Sequence, residues 1–133
     1  MNILFFLTPK EDVAYIQETD TLRQAMEKME HRGYTAIPML TEDGKYVGTV
    51  TEGDILWQLK RQGFPSLDTL EHSSVSEVKR RREVRAVSVS ESMESLLERV
   101  LEQNYVPVID DKQIFIGIVT RRDVIRHLQG EMG

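Results

Sequence analysis

Cysteine is absent from the 133 residues of this chain, so disulfides, zinc–thiolate centres and cysteine nucleophiles are excluded together. Positive charge is not in excess either, since the net charge of -5 gives no general reason to expect a nucleic acid or an acidic membrane as partner. The apolar opening MNILFFL is too short to span a bilayer and has no basic flank or small-residue cleavage site. We therefore expect a cytoplasmic protein in which this segment is part of the fold.

Signatures of catalysis are also missing. No P-loop, no G-x-G-x-x-G and no G-x-S-x-G occurs in the sequence. His31, His72 and His127 have neither the spacing of metal ligands nor the partners of a catalytic triad. With 40% hydrophobic and 29% charged residues the chain has the composition of a globular protein. We therefore predict no enzymatic activity and no metal site.

The chain contains an internal repeat. Pro38–Lys60 recurs as Pro107–Gln129 with a constant offset, and before this stretch the second copy is two residues shorter. Identical residues mark the register: Pro38 and Pro107, Gly48 and Gly117, Thr51 and Thr120, and Asp54 and Asp123. Such a period indicates that one supersecondary unit was duplicated and that the copies bury their apolar faces against each other.

Each copy predicts strand, helix, strand, strand and helix, which places the chain in the α/β (α+β) class. The first copy predicts strands at Val13–Ile16, Thr35–Leu40 and Tyr46–Thr51, with helices after Asp20 or Thr21 and after Thr51. The second predicts strands at Val84–Val89, Tyr105–Ile109 and Ile114–Thr120, with helices after Ser90 or Ser92 and after Thr120. Gly33 and Asn104 are expected to end the first helix of each copy in a left-handed conformation. A segment rich in Gly, Pro and Ser predicts the division into residues 1–62, a linker at 63–76, and residues 77–133.

The pattern Gly-apolar-apolar-Thr-x-x-Asp, at Gly48–Asp54 and Gly117–Asp123, carries the most chemistry. A threonine with an acidic residue three positions later resembles a capping box, which needs no ligand. A strand that leads directly into a helix N-terminus is also a natural anion site, because free N–H groups and the helix dipole face the incoming group. A carboxylate beside such a site is suited to a ligand that also offers ribose hydroxyls.

With two such motifs in matching elements, the chain resembles a stand-alone pair of CBS domains, the Bateman module, from about Leu7 to Gln129. The resemblance implies two repeats related by a pseudo-two-fold axis, with two clefts that bind adenosine-containing ligands such as AMP, ADP, ATP, S-adenosylmethionine or cyclic di-AMP. It implies no catalysis and no cofactor other than this regulatory ligand. It also implies homodimers that form through the helices.

In that family each cleft takes Thr and Asp from one repeat and the backbone around the adenine from the other. Carried over, the main cleft comprises Ala14, Tyr15, Tyr34, Thr35, Ala36, Ile37, Pro38, Thr120, Arg121, Arg122 and Asp123. The second cleft comprises Thr51, Asp54, Arg85, Ala86, Tyr105, Val106 and Pro107. The resemblance assigns ribose hydroxyls to the two aspartates, ribose or phosphate to the two threonines, and the adenine edge to the strands.

The two motifs differ in charge. Between Thr and Asp the second copy has Arg121 and Arg122, whereas the first has Glu52 and Gly53. Guanidinium groups bind phosphate through paired hydrogen bonds, while Glu52 would repel it. We therefore expect a phosphorylated adenosine in the cleft of Thr120, unless the arginines are only a solvated helix start.

Two further features have open interpretations. Lys79-Arg80-Arg81-Arg82 is either an ordinary solvated segment or a source of positive charge for the Thr51 cleft. Trp57, the only tryptophan, belongs either to the core or to a subunit interface.

The sequence thus predicts a cytoplasmic, non-catalytic sensor that binds an adenine nucleotide and signals to an unknown effector protein in trans, since no effector domain follows the last helix. A cyclic di-AMP receptor is one alternative. A constitutive dimeric adaptor with vestigial clefts is another. An enzyme that acts on nucleotides with Glu52 or Asp123 as base is the third, and it has neither metal ligands nor an activated nucleophile.

Overall fold

A computed structural model of the chain describes residues 2–132, except the side chains of residues 131 and 132. In chain order the elements are β1 (Thr8–Pro9), β2 (Ile16–Gln17), α1 (Leu22–Arg32), β3 (Ala36–Leu40), β4 (Tyr46–Thr51), α2 (Glu52–Arg61), α3 (Leu67–Glu71), β5 (Val87–Ser88), α4 (Met93–Glu102), β6 (Tyr105–Ile109), β7 (Phe115–Thr120) and α5 (Arg121–Met132). The expected α/β class and the twofold order of elements are confirmed. Within the described part of the chain, no helix is long and apolar enough to cross a membrane.

The chain packs as two compact units. The central unit is Ala14–Glu83, and the terminal unit combines Met1–Val13 with Val84–Gly133. The division into residues 1–62, 63–76 and 77–133 describes the repeats in the sequence, and it stays a prediction. Packing groups the residues differently, because the segment that precedes each repeat lies on the sheet of the other repeat.

The central unit has a three-stranded sheet in the order β2-β3-β4, with β2 parallel and β4 antiparallel to β3. Its core includes Ile16, Leu22, Ile37 and Val50, all almost fully buried. The segment predicted as a linker is packed into this unit rather than free of it. It contains α3, and Leu70 and Val75 are buried in the same core.

The terminal unit has a four-stranded sheet in the order β1-β7-β6-β5. The N-terminal segment is part of the fold, as expected, because Ile3 and Phe6 are buried in the core of this unit. The ring of Phe6 also meets the ring of His127 edge-on at 5.3 Å between centroids. Strand β1 then pairs antiparallel with β7 through Thr8 and Pro9.

The glycines of the two motifs make room for these crossing segments. A Cβ atom at Gly117, where φ is 152°, would overlap the carbonyl oxygen of Thr8. A Cβ atom at Gly48 would overlap the guanidinium group of Arg80, which donates a hydrogen bond to the Val47 carbonyl at 3.3 Å. Each glycine therefore lies where the segment before the other repeat passes over the sheet.

The predicted first strand of each repeat is shorter than expected. Strand β2 overlaps the predicted Val13–Ile16 only at Ile16, and β5 covers two residues of Val84–Val89, because the backbone before each strand is bonded elsewhere. The Val13 N–H donates to the Lys10 carbonyl at 3.1 Å, and the Arg85 N–H donates to Gln103 Oε1 at 2.8 Å. The Gln17 N–H donates to Asp20 Oδ2 at 2.9 Å, and the Ser88 N–H donates to Glu91 Oε2 at 2.6 Å. The chain then turns into the following helix.

Helix α1 begins and ends as predicted. Thr21 forms a capping box with Gln24, and Gly33 ends the helix in the left-handed conformation with φ 68°. The expectation for Asn104 was wrong, because α4 ends at Glu102, the next residue Gln103 is extended with φ -130° and ψ 141°, and Asn104 does not have a positive φ. The second copy has two residues fewer here, so the chain must leave the helix directly into β6.

Candidate functional site

The Thr51–Asp54 motif joins β4 directly to α2 and forms a closed capping box. The Asp54 N–H donates to Thr51 Oγ1 at 3.1 Å, and the Thr51 N–H donates to Asp54 Oδ2 at 3.0 Å. The other oxygen of the carboxylate, Oδ1, accepts the Arg81 N–H at 3.0 Å. Asp54 is only 2% exposed. Both of its carboxylate oxygens are therefore used within the central unit.

The Thr120–Asp123 motif joins β7 to α5 in the same way but is only half closed. The Asp123 N–H donates to Thr120 Oγ1 at 3.1 Å. No residue that the structure describes donates a hydrogen bond to the Asp123 carboxylate, and the side chain is half-buried. This carboxylate remains available at the N-terminus of a helix, where the free N–H groups also favour an anion.

The two arginines within the second motif have different partners. Arg121 Nε donates to the Val100 carbonyl at 2.6 Å, and Arg121 Nη1 donates to Asn104 Oδ1 at 3.1 Å. Its guanidinium thus fastens the start of α5 to the end of α4. Arg122 is exposed, and among the described residues it has no hydrogen bond or ion pair through its side chain. Arg122 is therefore the arginine of this pair that is free to bind phosphate.

The predicted main-cleft residues of the central unit lie close together. Ala14 donates its N–H to the Tyr34 hydroxyl at 3.4 Å, and the Tyr15 carbonyl accepts a hydrogen bond from Lys28 Nζ at 2.9 Å. The carbonyl of Thr35 accepts the Glu52 N–H at 2.9 Å. Ala36, Ile37 and Pro38 lie in β3, where Ile37 and Pro38 are buried.

Gln103 organises the predicted second-cleft residues of the terminal unit. Its Oε1 accepts the Arg85 N–H at 2.8 Å, and its Nε2 donates to the carbonyls of Arg85 at 3.0 Å and Tyr105 at 3.2 Å. Val106 and Pro107 follow, buried in β6, while Ala86 is half-buried. Sequence reasoning missed Gln103. The only available signal was a glutamine at a helix end that lacks the glycine of the first copy.

The basic segment Lys79–Arg82 lies directly on the first motif. Arg80 covers Gly48, and Arg81 uses its backbone N–H to bind Asp54. The guanidinium of Arg81 also lies 5.3 Å from the centroid of the Trp57 ring. Lys60 Nζ lies 5.2 Å from the same centroid, so two cations contact this ring. Trp57 is 36% exposed and is not part of the core.

No group of three or more His, Asp or Glu side chains is placed to hold a metal ion within the described residues. Burial raises the pKa of Tyr46 to about 12, so this phenol, which shares a hydrogen bond of 2.8 Å with Thr49, is neutral at physiological pH.

The two Thr-x-x-Asp motifs occupy equivalent places, each between the last strand and the last helix of its repeat. The CBS domain family matches this chain twice, over residues 6–61 and 75–130. The chain belongs to the CBS domain family.

Three relatives illustrate this membership. A chloroplast CBS domain-containing protein of Arabidopsis thaliana is 27% identical over 91% of this chain, which spans only 61% of that relative's length. Cyclic di-AMP receptor B of Bacillus subtilis is 28% identical over 92% of this chain and 83% of its own. The structure of the CbpB protein of Listeria monocytogenes in complex with cyclic di-AMP superposes with a TM-score of 0.85 at 23% identity, covering 98% of this chain and 96% of that one. At that identity the likeness shows a common fold.

Each CBS repeat also has an exposed groove beside its last long helix. The acidic groove, between α1 and α2, has a volume of about 450 Å³ and is lined by Met26, Met29, Glu30, Gly33, Tyr34, Glu52, Ile55, Leu56 and Leu59. The basic groove, between Asn104 and α5, has a volume of about 520 Å³ and is lined by Asn104, Arg121, Arg122, Ile125, Arg126 and Gln129. Glu52 and Leu56 in the first groove correspond to Arg121 and Ile125 in the second.

Proposed function

We propose that this CBS pair is a non-catalytic sensor that binds an adenosine-containing nucleotide at the Thr120–Asp123 motif. The proposal rests on the Asp123 carboxylate, which lies at a helix N-terminus and accepts no hydrogen bond from a described residue. At the equivalent position of the other repeat, both carboxylate oxygens of Asp54 accept hydrogen bonds. A free carboxylate accepts two hydrogen bonds from a ribose diol. The two motifs therefore divide into one for a ligand and one for the fold.

The phosphate of the ligand is assigned to Arg122 and to the first turn of α5. Arg122 is exposed and has no side-chain partner among the described residues, and the N–H groups of the first helical turn attract an anion. Arg121 contributes by its charge, since its guanidinium hydrogen bonds go to Val100 and Asn104. We predict, in addition, that residues of the other repeat, from Ala14 to Pro38, contact the adenine.

Cyclic di-AMP is the second candidate ligand. The relative from Bacillus subtilis is named for this ligand and matches 92% of the present chain. Cyclic di-AMP offers the same adenosine and phosphate groups as AMP, so Asp123 and Arg122 suit both. The two candidates differ in size and in the number of bases, which a comparison of affinities separates.

A ligand panel tests the proposal. Thermal melts of the purified protein with AMP, ADP, ATP, cyclic di-AMP and GMP should show stabilisation by at least one adenosine ligand and none by GMP. A matched titration of Asp123→Asn should remove that stabilisation. If every adenosine ligand leaves the melting temperature unchanged, the constitutive adaptor is the better interpretation. Formation of a new nucleotide during incubation with ATP would contradict the non-catalytic assignment.

The output of the sensor is proposed to pass through a homodimer to a separate effector protein in the cytoplasm. Large apolar side chains remain exposed on the helices of both repeats, among them Leu56, Leu101, Ile125 and Leu128. Exposed apolar faces of this kind are typical of interaction sites. A ligand that binds one arrangement of the dimer more tightly shifts the population towards it, by no more than the difference in affinity.

A further inference from the structure

One surface of the central unit combines the only tryptophan of the chain with a group of cations. Trp57, Lys60 and Arg61 lie on α2, and the basic segment Lys79–Arg82 supplies the other cations. The Trp57 ring joins the two parts, because Lys60 Nζ lies 5.2 Å and the guanidinium of Arg81 5.3 Å from its centroid. These residues together form the tryptophan surface.

The basic segment is held in place by its backbone and by what precedes it. The Arg81 N–H donates to the buried Asp54 carboxylate at 3.0 Å, and Arg80 Nη1 donates to the Val47 carbonyl at 3.3 Å. Val78, directly before the segment, is buried in the core of the unit. The segment is thus fixed to α2, to β4 and to the core, so its cations are presented at defined places.

The charges of the tryptophan surface are not neutralised by the described residues. Lys60, Arg61 and residues 79–82 are all exposed, and none of them belongs to an ion pair there. This includes Glu77 and Glu83, which flank the basic segment in the sequence. In a chain of net charge -5 the surface is a local excess of positive charge. It is therefore complementary to a partner that brings negative charge.

Two observations favour a protein partner over a nucleic acid. Single-stranded nucleic acids stack their bases on free aromatic rings, whereas two cations already lie against the Trp57 ring. An exposed apolar ring also follows directly after α2, since Phe64 is 64% exposed. Tryptophan, phenylalanine and arginine are the residues in which protein interfaces are enriched.

We propose that the tryptophan surface binds a segment of the effector protein that is rich in Asp and Glu. The effector itself belongs to the function proposed above, and the chemistry that recognises it is the new element. Guanidinium groups bind carboxylates through paired hydrogen bonds, which suits Arg81 and Arg82. Trp57 holds two of the cations near its ring and adds apolar contact to the partner.

The emission of Trp57 tests this proposal directly, because the chain contains no other tryptophan. Titration with an oligoglutamate peptide should change the emission saturably, and added salt should weaken the binding. An oligothymidylate of equal charge should bind more weakly. Tighter binding of the oligothymidylate would overturn the proposal in favour of a nucleic acid. No response to oligoglutamate would also overturn it.

Paired variants separate the surface from the net charge of the chain. Lys79→Gln with Arg82→Gln should weaken oligoglutamate binding roughly tenfold, because both side chains are exposed and have no partner among the described residues. Arg32→Gln with Lys112→Gln removes the same charge from exposed positions elsewhere and should change the affinity by less than about twofold. Equal weakening by the two pairs would show attraction to net charge alone and would contradict the proposal.

The ring has its own test. Trp57→Leu leaves the charge unchanged and should weaken binding about threefold, measured by the fluorescence anisotropy of a labelled oligoglutamate. An unchanged affinity in a variant that melts at the normal temperature would contradict the role of Trp57.

Failure of this surface and failure of the proposed function are distinguishable. A protein that an adenosine ligand stabilises, but whose Trp57 emission ignores oligoglutamate, retains the sensor and loses the surface. Oligoglutamate binding without any stabilisation by an adenosine ligand retains the surface and loses the sensor. In the Asp123→Asn variant ATP should not displace oligoglutamate, and displacement would assign these cations to a nucleotide and overturn the proposal.

Discussion

The two Thr-x-x-Asp motifs share their threonine and aspartate at equivalent positions but differ in the hydrogen bonds of the aspartate. In the first, Asp54 is buried and bonds to Thr51 and to Arg81. In the second, the Asp123 carboxylate has no donor among the described residues. The same motif therefore has two states in one chain. One copy uses its carboxylate to support the fold, and in the proposed function the other copy keeps its carboxylate for a ligand.

The largest effect is expected at the glycine that precedes each motif. Gly117→Ala should lower the free energy of unfolding by about 3 kcal/mol, because the new methyl group meets the rigid backbone of Thr8 and the residue has a positive φ. Gly48→Ala should cost about 1 kcal/mol or less, because the Arg80 side chain can move away. Urea unfolding of both variants measures the difference. Equal losses would contradict the assignment of a backbone crossing to Gly117 alone.

The next effect concerns stability at the two aspartates. Asp54→Ala should cost about 2–4 kcal/mol, because it removes a cap and leaves the Thr51 and Arg81 N–H groups without acceptors. Asp123→Ala should cost less than about 1 kcal/mol, since Thr120 still caps the helix. Asp111→Ala, in an exposed turn, is the matched control. The comparison fails if Asp123→Ala is the more destabilising change.

Ligand affinity should show the opposite order. Asp123→Ala should weaken binding of the adenosine ligand at least tenfold, or about 1.4 kcal/mol, because the ribose loses its acceptor. Asp54→Ala, measured well below its melting temperature, should change the affinity by less than about threefold, because its carboxylate is not available to a ligand. Isothermal titration calorimetry of both variants decides this. The reverse order would assign the ligand to the first motif.

The smallest effect separates the two arginines. Arg122→Gln should weaken the binding of a phosphorylated ligand by about fivefold and leave stability unchanged, because its side chain has no partner in the described part of the fold. Arg121→Gln should instead lower stability by about 1 kcal/mol, because the anchor to Val100 and Asn104 is lost. Melts and titrations on the same samples measure both quantities. Identical profiles for the two variants would remove the distinction.

Local patterns predicted most of the fold. The helices after Thr21 and Ser92, and the strands Tyr46–Thr51 and Tyr105–Ile109, occur as expected because capping, periodicity and β-branching act over a few residues. The first strands were predicted too far towards the N-terminus, because the N–H groups of Val13 and Arg85 bond to Lys10 and to the Gln103 side chain rather than to a neighbouring strand. Asn104 was misplaced, because Gln103 replaces a left-handed ending with side-chain bonds to Arg85 and Tyr105.

The motif residues Thr51, Asp54, Thr120 and Asp123 were identified from the repeat alone, and that they contact a ligand stays a prediction. The spacing of the motif residues does not show which carboxylate accepts hydrogen bonds, because one of the two donors to Asp54, the Arg81 N–H, is 27 residues away in the chain. Both arginines between Thr120 and Asp123 were expected to bind phosphate, and only the fold shows that the guanidinium of Arg121 is used at the end of α4.

The sequence by itself determined the duplication, the order of elements, the two motifs and the family, because each depends on short-range patterns or on identity between copies. The tertiary structure decided which unit the segment before each repeat joins, which of the two aspartates has its carboxylate bonded within the described fold, and how charge is distributed over the two grooves. These features depend on contacts between residues far apart in the chain. Two nearly identical motifs therefore acquire different chemistry from what lies against them.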